Sequence, residues 1–257
     1  MLNILSTGEK GFIWKNLIAE LNNIKEWKAK GYHLNPELTL FEYDIDTDPS
    51  LLDGYCRDAD FVFHLAGVNR PKEQSEFMEG NFGFTSVLLD TLKKHGNSCP
   101  VMLSSSIQAE LDNPYGISKK AGEDLLLKYG RETGSNVLIY RFPNVFGKWC
   151  RPNYNSGVAT FCHNIARNLP ITISDRANEV NLVYVDDVCS AMMEAAGIMQ
   201  SPHKHFMPAT DHIYADINPS FKITLGELVD TINSFKATRS SLQVPAFDDP
   251  FIYRLYA

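Results

Sequence analysis

Short apolar runs separated by amphipathic stretches constrain the fold of this chain more than any other feature. The run at residues 60–67 is almost continuously apolar, as expected of a strand buried on both faces of a sheet. Comparable runs occupy residues 2–7, 38–43, 101–105 and 137–141. Helical periodicity is found at residues 12–23, 77–94 and 119–133. Because strands that alternate with helices form parallel sheets covered on both faces, we predict an α/β fold with a doubly wound parallel sheet.

The pattern becomes less regular beyond the fifth apolar run, where a smaller C-terminal lobe is expected. The segments there predict, in order, a loop, a helix, a strand and a helix at residues 148–156, 159–167, 171–173 and 186–199. Thr224 and Glu227 have the spacing of a capping box at the start of the last helix. We predict a main domain at residues 1–147, to which parts of residues 177–200 return, and a lobe at residues 148–257.

Composition argues against several classes of function. The chain has 257 residues and a net charge of −7, which disfavours a surface for nucleic acid or anionic membranes. No apolar run approaches the ~18 residues of a membrane span, and no signal peptide precedes the first strand. The five cysteines are scattered without a CxxC pair, which indicates a reducing, cytoplasmic location. His203 and His205 lack a third ligand at suitable spacing, so we predict no metal site.

A glycine-bearing turn connects the first strand to the first helix. The segment TGEKGFIW at residues 7–14 lies between a strand and a helix, the context that a dinucleotide fingerprint requires. Gly8 and Gly11 allow backbone N–H groups to approach a pyrophosphate closely. Trp14 stands where a third glycine is expected, and we expect its indole to crowd the turn and weaken cofactor binding. Taken alone, the segment fits an ordinary glycine-containing turn equally well.

Two acidic side chains follow the second apolar run. An acid at this point of a dinucleotide-binding fold binds the adenosine ribose, and Asp44 and Asp46 are the candidates. No arginine that would receive a 2′-phosphate stands there, so this segment favours NAD over NADP. Solvated acids at the end of a strand are an equally good interpretation of these two residues alone.

A serine run precedes a tyrosine and a lysine. Ser104, Ser105 and Ser106 end an apolar run, Tyr115 comes nine residues after the last serine, and Lys119 comes four residues later. Helical residues at i and i+4 lie on one face, so we expect the ammonium to lower the pKa of the phenol. Such a phenol can transfer a proton beside a cofactor that carries hydride. Alone, the spacing also fits a half-buried tyrosine beside a solvated lysine.

Taken together, these segments resemble the extended short-chain dehydrogenase/reductases that act on nucleotide sugars, over almost the whole chain. The matching pieces are Gly8 and Gly11, Asp44 and Ile45, HLAG at 64–67, Asn81, the serine run, Tyr115 with Lys119, RFPNVFG at 141–147 and YVDDV at 184–188. A closer resemblance is to capsular-polysaccharide reductases acting at C4 of UDP-2-acetamido-2,6-dideoxy-hexuloses, in the UDP-N-acetyl-L-fucosamine pathway. It is carried by AGVNRP at 66–71, SIQA at 106–109, DNPYG at 112–116 and FGKWCRPNYNS at 146–156.

The resemblance implies a Rossmann-like domain that binds NADPH, or NADH, and four catalytic residues. Tyr115 would protonate the developing alkoxide, Lys119 would lower the Tyr115 pKa and bind the nicotinamide ribose, and Ser106 would hold the substrate oxygen. Asn81 would support the proton path. The implied cofactor-binding residues are Gly8, Lys10, Gly11, Phe12, Ile13, Asp44, Ile45, Leu65, Ala66, Gly67, Ser104, Tyr115, Lys119 and Pro143.

The irregular loop and the C-terminal lobe are expected to bind a UDP-sugar. The candidates for contacts to this substrate are Asn69, Arg70, Asn144, Lys148, Arg151, Asn155 and Arg176. Arginine suits a diphosphate because its planar guanidinium binds two oxygens at once. Many relatives have an arginine shortly before the YVDD run, where this chain has Val180, and Arg176 is the candidate replacement.

Two other functions stay open from the sequence. A nucleotide-sugar epimerase or dehydratase that retains NAD shares these residues, and a degenerate dinucleotide-binding subunit would explain Trp14 but has no use for Tyr115 and Lys119. The resemblance also implies a homodimer. A cupin-like epimerase domain commonly follows the reductase domain in the closer relatives. This chain stops near the expected start of that domain, as a truncated form or a single-domain relative would.

Overall fold

A seven-stranded sheet forms the centre of the molecule. The computed structural model describes residues 1–28, 33–34, 37–200, 206–208 and 213–257. The strands along the chain are β1 (Leu2–Thr7), β2 (His33–Leu34), β3 (Leu38–Tyr43), β4 (Phe61–His64), β5 (Val101–Ser106), β6 (Val137–Phe142), β7 (Asn144–Phe146), β8 (Glu179–Tyr184), β9 (Met199–Gln200), β10 (Phe206–Pro208), β11 (Tyr214–Ile217) and β12 (Phe221–Thr224). Parallel strands lie in the order β3-β1-β4-β5-β6-β11, and β10 pairs antiparallel with β11 at the edge.

Helices cover both faces of this sheet. They are α1 (Phe12–Lys25), α2 (Ser50–Asp58), α3 (Ser75–Met78), α4 (Phe84–Lys94), α5 (Pro114–Thr133), α6 (Gly157–Ala166), α7 (Val185–Ala195), α8 (Leu225–Ser241) and α9 (Pro250–Tyr256). Neighbouring residues of β1 point to opposite faces: Ile4 packs in the core that contains α1 and α7, whereas Leu5 packs in the core that contains α2, α4 and α5. The predicted α/β fold with a doubly wound parallel sheet, Rossmann-like in its order, is therefore confirmed.

The C-terminal part of the chain packs on one side of the sheet. A second, three-stranded sheet has the order β12-β8-β7, and α6 packs against α8. Phe161 of α6, Leu228 of α8 and Phe251 of α9 belong to the same apolar core as α1 and α7. Arg254 of α9 also donates to the Asp187 carboxylate of α7, with Nε 2.5 Å from Oδ2. Apolar packing is thus continuous between the sheet and this part.

Most predicted elements in the first half of the chain agree with the structure to within a few residues. The helix predicted at 119–133 begins earlier, at Pro114, because Asn113 accepts the Gly116 N–H at 2.8 Å and proline suits the first helical position. The helix predicted at 77–94 is interrupted by a π-helical turn, Glu79–Gly83, between α3 and α4.

Other predictions were wrong or missed an element. Residues 171–173, which the structure describes, form no strand, and the helix predicted at 186–199 ends at Ala195. The sequence reasoning missed α2, whose nine residues bury only Leu52 and Cys56, too few to establish a helical period. No helix in the described part of the chain has the length and apolarity needed to cross a bilayer.

Candidate active site

The turn between β1 and α1 requires glycine and leaves an anion-binding end on the helix. Gly8 has φ of +84°, and a Cβ there would lie 2.7 Å from the Ala66 backbone nitrogen. Gly11 donates its N–H to the Gly8 carbonyl at 3.0 Å. Among the described residues, no side chain caps the N terminus of α1. Its first backbone N–H groups are therefore available to a pyrophosphate, as the glycine pattern predicts.

Trp14 belongs to α1, and its indole packs in the apolar core between this helix and β3. Its side chain is 1% exposed, and Nε1–H donates to Glu42 Oε2 at 2.9 Å. Trp14 contributes to the wall of the cavity that Gly8 and Gly11 also line. Because the indole is held against the end of β3, it is accommodated by the helix–sheet packing. The burial of the indole argues against the crowding that the spacing predicts.

Carboxylates dominate the rim beside the glycine turn. Asp44 Oδ2 accepts the Lys10 backbone N–H at 2.9 Å, and the Lys10 ammonium is paired with Asp46. Burial, followed by the charges of Glu42, Asp44 and Asp46, raises the pKa of Glu9. Several negative charges therefore converge where an adenosine ribose would lie.

A directional chain of hydrogen bonds supports the floor of the cofactor groove. Thr85 Oγ1 donates to the Asn81 carbonyl at 2.6 Å, so it can only accept from His64 Nε2, 2.8 Å away. His64 Nδ1 then accepts from Thr7 Oγ1 at 2.7 Å, and Thr7 Oγ1 accepts the Ala66 N–H at 3.3 Å. Burial, followed by the Lys119 charge, lowers the pKa of His64 to about 3. A neutral His64 thus links the backbone around the glycine turn to the π-helical turn.

Ser106, Tyr115 and Lys119 converge at the carboxyl end of β5. Lys119 Nζ donates to the Ser104 carbonyl at 2.7 Å, and burial lowers its pKa to about 8, opposed by the Glu123 charge. Burial raises the pKa of Tyr115, and a hydrogen bond with Ser106 acts in the opposite direction. The expectation that Lys119 lowers the Tyr115 pKa is therefore wrong for this arrangement, because the ammonium is directed to the β5 backbone and burial dominates.

The π-helical turn holds Asn81 behind these three residues. Asn81 Oδ1 accepts the Val68 N–H at 2.9 Å, and its amide donates to the Val68 carbonyl and to Ser118 Oγ, each at 2.9 Å. Ser118 Oγ in turn donates to the Tyr115 carbonyl at 2.7 Å. Asn81 therefore fixes the loop after β4 against the first turn of α5.

A buried ion pair beneath Lys119 could not be predicted from spacing. Glu123 is fully buried, accepts from Ser105 Oγ at 2.6 Å, and receives a bidentate contact from Arg141 at 2.9 and 2.6 Å. The only hint in the sequence is an i,i+4 relation to Lys119 on α5. Its charge opposes the lowering of the Lys119 pKa.

One cavity of about 700 Å³ collects most of the predicted site residues. Those that line it are Gly8, Lys10, Gly11, Phe12, Ile13, Leu65, Gly67, Asn69, Asn81, Ser104, Ser106, Tyr115, Lys119, Pro143, Asn144, Arg151 and Asn155. Asp44 and Ala66 contact the glycine turn from outside the wall, and Ile45 is almost fully exposed beside Asp44. The arrangement suits a dinucleotide at one end and a polar substrate at the other.

Three predicted substrate residues do not line the cavity: Arg70 lies beside the Tyr154 ring at its mouth, and Lys148 and Arg176 lie elsewhere. Arg176 pairs with Asp230 of α8 at 2.6 Å and does not line the cavity. Lys148 pairs with Asp186 at 3.0 Å and lines a separate hollow behind the loop. Both cations are already neutralised by carboxylates, which the sequence alone cannot reveal. These two assignments are therefore corrected.

Sequence reasoning also missed residues of the cavity wall. They include Gln108, Cys150 and Tyr154, together with Val68 and Val145. Tyr154 is within the NYNS run that carried the closer resemblance, which was the available signal. Within the residues that the structure describes, no group of three or more metal-ligating side chains comes together, and His203 and His205 lie outside those residues.

Comparison with known proteins agrees with this geometry. The profile of the NAD-dependent epimerase/dehydratase family matches residues 4–206. The chain is 39% identical over 256 residues to a UDP-2-acetamido-2,6-β-L-arabino-hexul-4-ose reductase of Pseudomonas aeruginosa, covering 100% of the chain and 63% of that relative. The chain therefore spans less than two thirds of the length of this relative.

Solved structures share the fold of this chain. The capsular polysaccharide assembling protein CapF from Staphylococcus aureus superposes with a TM-score of 0.82 and 40% identity, over 99% of this chain and 63% of that protein. A UDP-glucuronic acid 4-epimerase variant from Bacillus cereus, in complex with UDP-4-deoxy-4-fluoro-glucuronic acid and NAD, has a TM-score of 0.73 and 17% identity, over 92% and 83% of the two chains. The latter likeness concerns the fold alone.

Proposed function

The chain belongs to the NAD-dependent epimerase/dehydratase family of extended short-chain dehydrogenase/reductases, and we propose that it reduces the C4 ketone of a UDP-2-acetamido-2,6-dideoxy-hexulose. The observation that carries the proposal is the convergence of Ser106, Tyr115 and Lys119 on the cavity that the glycine turn also lines. The 39% identity to a reductase of this substrate class supports it.

The residues present fit a nicotinamide dinucleotide. Gly8 and Gly11 would hold the pyrophosphate at the free end of α1, Asp44 the adenosine ribose, and Lys119 the nicotinamide ribose, with Pro143 beside the ring. When bound, the reduced cofactor supplies hydride to a carbonyl carbon.

The protein groups supply orientation and the proton. Ser106 donates a hydrogen bond to the C4 oxygen, and Tyr115 donates its phenolic proton as that oxygen becomes an alkoxide. Because burial raises the pKa of Tyr115, the phenol stays protonated and suits the role of general acid. The Lys119 ammonium, held at the Ser104 carbonyl, would bind the nicotinamide ribose beside them.

The acidic rim supports NADH as the preferred cofactor. A 2′-phosphate adds up to two negative charges beside Glu9, Glu42, Asp44 and Asp46, and the Lys10 ammonium is already paired with Asp46. We therefore propose a kcat/KM for NADH at least about tenfold above that for NADPH. Asp46→Asn, which releases Lys10, should narrow the ratio, whereas equal use of both cofactors by the native chain would contradict the assignment.

The finer assignments follow from the same proposal. Residues 1–147 would bind the dinucleotide and residues 148–257 mainly the UDP-sugar, in a cytoplasmic homodimer that makes capsular or O-antigen precursors. The capsular polysaccharide assembling protein with 40% identity supports that setting. A nucleotide-sugar epimerase is the second candidate, because other members of the family superpose on the fold and an acidic rim also suits tightly held NAD.

One experiment tests the reaction. The purified chain is mixed with NADH and a UDP-4-keto-2-acetamido-2,6-dideoxy-hexose, and both absorbance of the reduced nicotinamide and the sugar product are followed. The reductase predicts stoichiometric oxidation of NADH, whereas isomerised sugar without net oxidation would identify the epimerase. Tyr115→Phe should lower kcat at least about 100-fold and leave NADH affinity unchanged. A mutant with most of its rate would remove Tyr115 from the role of acid.

A further inference from the structure

Tyr154 joins two loops across the mouth of the cavity. It lies in the loop between β7 and α6, and its hydroxyl donates to Asn69 Oδ1, 3.4 Å away, in the loop after β4. Two guanidiniums also contact its ring: the central carbon of Arg70 is 5.4 Å from the ring centroid, and that of Arg151 is 5.5 Å away. One aromatic ring therefore gathers two cations from different loops.

Neither of these two cations has a carboxylate partner among the described residues, in contrast to three other cations of the predicted site and its surroundings. Lys148 pairs with Asp186, Arg176 with Asp230, and Arg141 with Glu123. Arg70 and Arg151 are both exposed and hold their positions through the Tyr154 ring. The two guanidiniums carry like charge on one ring, and an anion bound by both would offset their repulsion.

The loop that carries Tyr154 is fixed at both ends. At its start, Asn16 of α1 donates to the Lys148 carbonyl at 3.0 Å. At its end, the Asn153 N–H donates to Thr160 Oγ1 at 2.9 Å, and the Ser156 hydroxyl accepts the Ala159 N–H at 3.2 Å as the cap of α6. Tyr154 itself is 41% exposed and lines the cavity. The contact across the mouth is therefore the part of this loop that can open without unfolding it.

We propose that Tyr154 is a positioning residue that holds Arg70 and Arg151 as one diphosphate-binding clasp across the mouth of the cavity. This inference rests on the proposed function, since the diphosphate is that of the sugar nucleotide. Guanidinium pairs bind phosphate oxygens bidentately and more strongly than they bind an exposed ring. The diphosphate thus takes over contacts that the ring has kept in place, and the loop closes over the sugar.

Binding of UDP alone tests the clasp without catalysis. UDP and UMP are titrated by calorimetry into the native chain, Tyr154→Leu, Tyr154→Trp and Arg70→Met, with Tyr253→Leu as a control at an exposed tyrosine of α9. We expect Tyr154→Leu and Arg70→Met to weaken UDP binding about tenfold and to reduce its preference over UMP. Tyr154→Trp, which keeps an aromatic face, should retain most of the affinity, and NADH affinity should be unchanged throughout.

Kinetics and salt separate positioning from a merely structural effect. Tyr154→Leu should raise KM for the sugar nucleotide about tenfold with little change in kcat, and its UDP affinity should depend less on ionic strength. Unchanged UDP affinity in both Tyr154→Leu and Arg70→Met would overturn the clasp and leave the proposed function intact. Failure of the native chain to bind UDP would instead overturn the proposed function, and the clasp with it.

Discussion

Trp14 departs from the glycine motif and has a packing role of its own. The indole fills a space between α1 and β3 and donates to Glu42, so it is part of the core. We expect Trp14→Gly to lower the free energy of unfolding by roughly 3–5 kcal/mol and to leave NADH affinity, measured by calorimetry, without any gain. Trp14→Phe, which keeps most of the packing, should lose less.

A large gain in affinity for Trp14→Gly would show that the indole competes with the cofactor. The sequence predicted such crowding because Trp14 stands where a glycine is expected. Spacing places a residue at the turn, but it does not reveal the direction of the side chain. The same limit explains Lys148 and Arg176, whose positions suggested substrate contacts. Their charges are taken by Asp186 and Asp230, which come from elements distant in sequence.

We expect Lys119 to set an alkaline limit on the proposed activity. Its pKa is lowered to about 8 by burial, so its ammonium is lost as pH rises through that value, while the Tyr115 pKa is raised. If the ammonium is the active form, kcat/KM should fall above about pH 8, measured at saturating NADH. Lys119→Arg, which stays charged, should lack this limb even if its rate is low. A native profile that is flat to pH 10 would contradict the assignment.

The loop after β4 and the π-helical turn form a pair of elements that depend on close contact. A Cβ on Gly67 would lie 2.7 Å from Asn81 Oδ1 and 3.4 Å from Lys119 Nζ. We expect Gly67→Ala to lower kcat/KM at least about tenfold and stability by roughly 1–3 kcal/mol, because it displaces Asn81 and the lysine together.

Gly54 provides the matched control. It lies in α2, and a Cβ there would meet nothing within 4 Å. Gly54→Ala should therefore stabilise the protein by about 0.5–1 kcal/mol without altering kcat/KM. Equal kinetic effects of the two substitutions, measured on samples of known folded fraction, would rule out the proposed contact around Gly67.

At this scale the sequence was informative where an element is long or strongly apolar. The central strands and α5 follow from periodicity because buried parallel strands and a 20-residue helix leave clear patterns. The π-helical turn, Glu79–Gly83, was not predicted, because residues 77–94 were assigned to one continuous helix. The resemblance to a known family predicted a role for Asn81, whereas only the structure reveals the π-helical turn that holds it.

The whole molecule is expected to unfold as one unit. The apolar core that contains α1 and α7 continues through α6, α8 and α9, and Arg254 binds Asp187 across that junction. We predict a single transition in which the calorimetric and van 't Hoff enthalpies agree. Arg254→Ala should lower the midpoint but keep the transition single, because it leaves a mostly buried carboxylate without its main partner. Two resolved transitions in the native chain would show that the lobe is autonomous.

The two ends of the main cavity carry opposite charge, with carboxylates around the Lys10–Asp46 pair and, around Tyr154, two guanidiniums that no carboxylate of the described residues pairs with. Both molecules that such a groove would accept have a nucleoside attached to a diphosphate group. Shape alone discriminates poorly between two such similar ligands. A gradient of electrostatic potential along the groove, however, gives each ligand a preferred half of the groove and a preferred direction of entry. We therefore expect little inhibition by either ligand through binding at the subsite of the other.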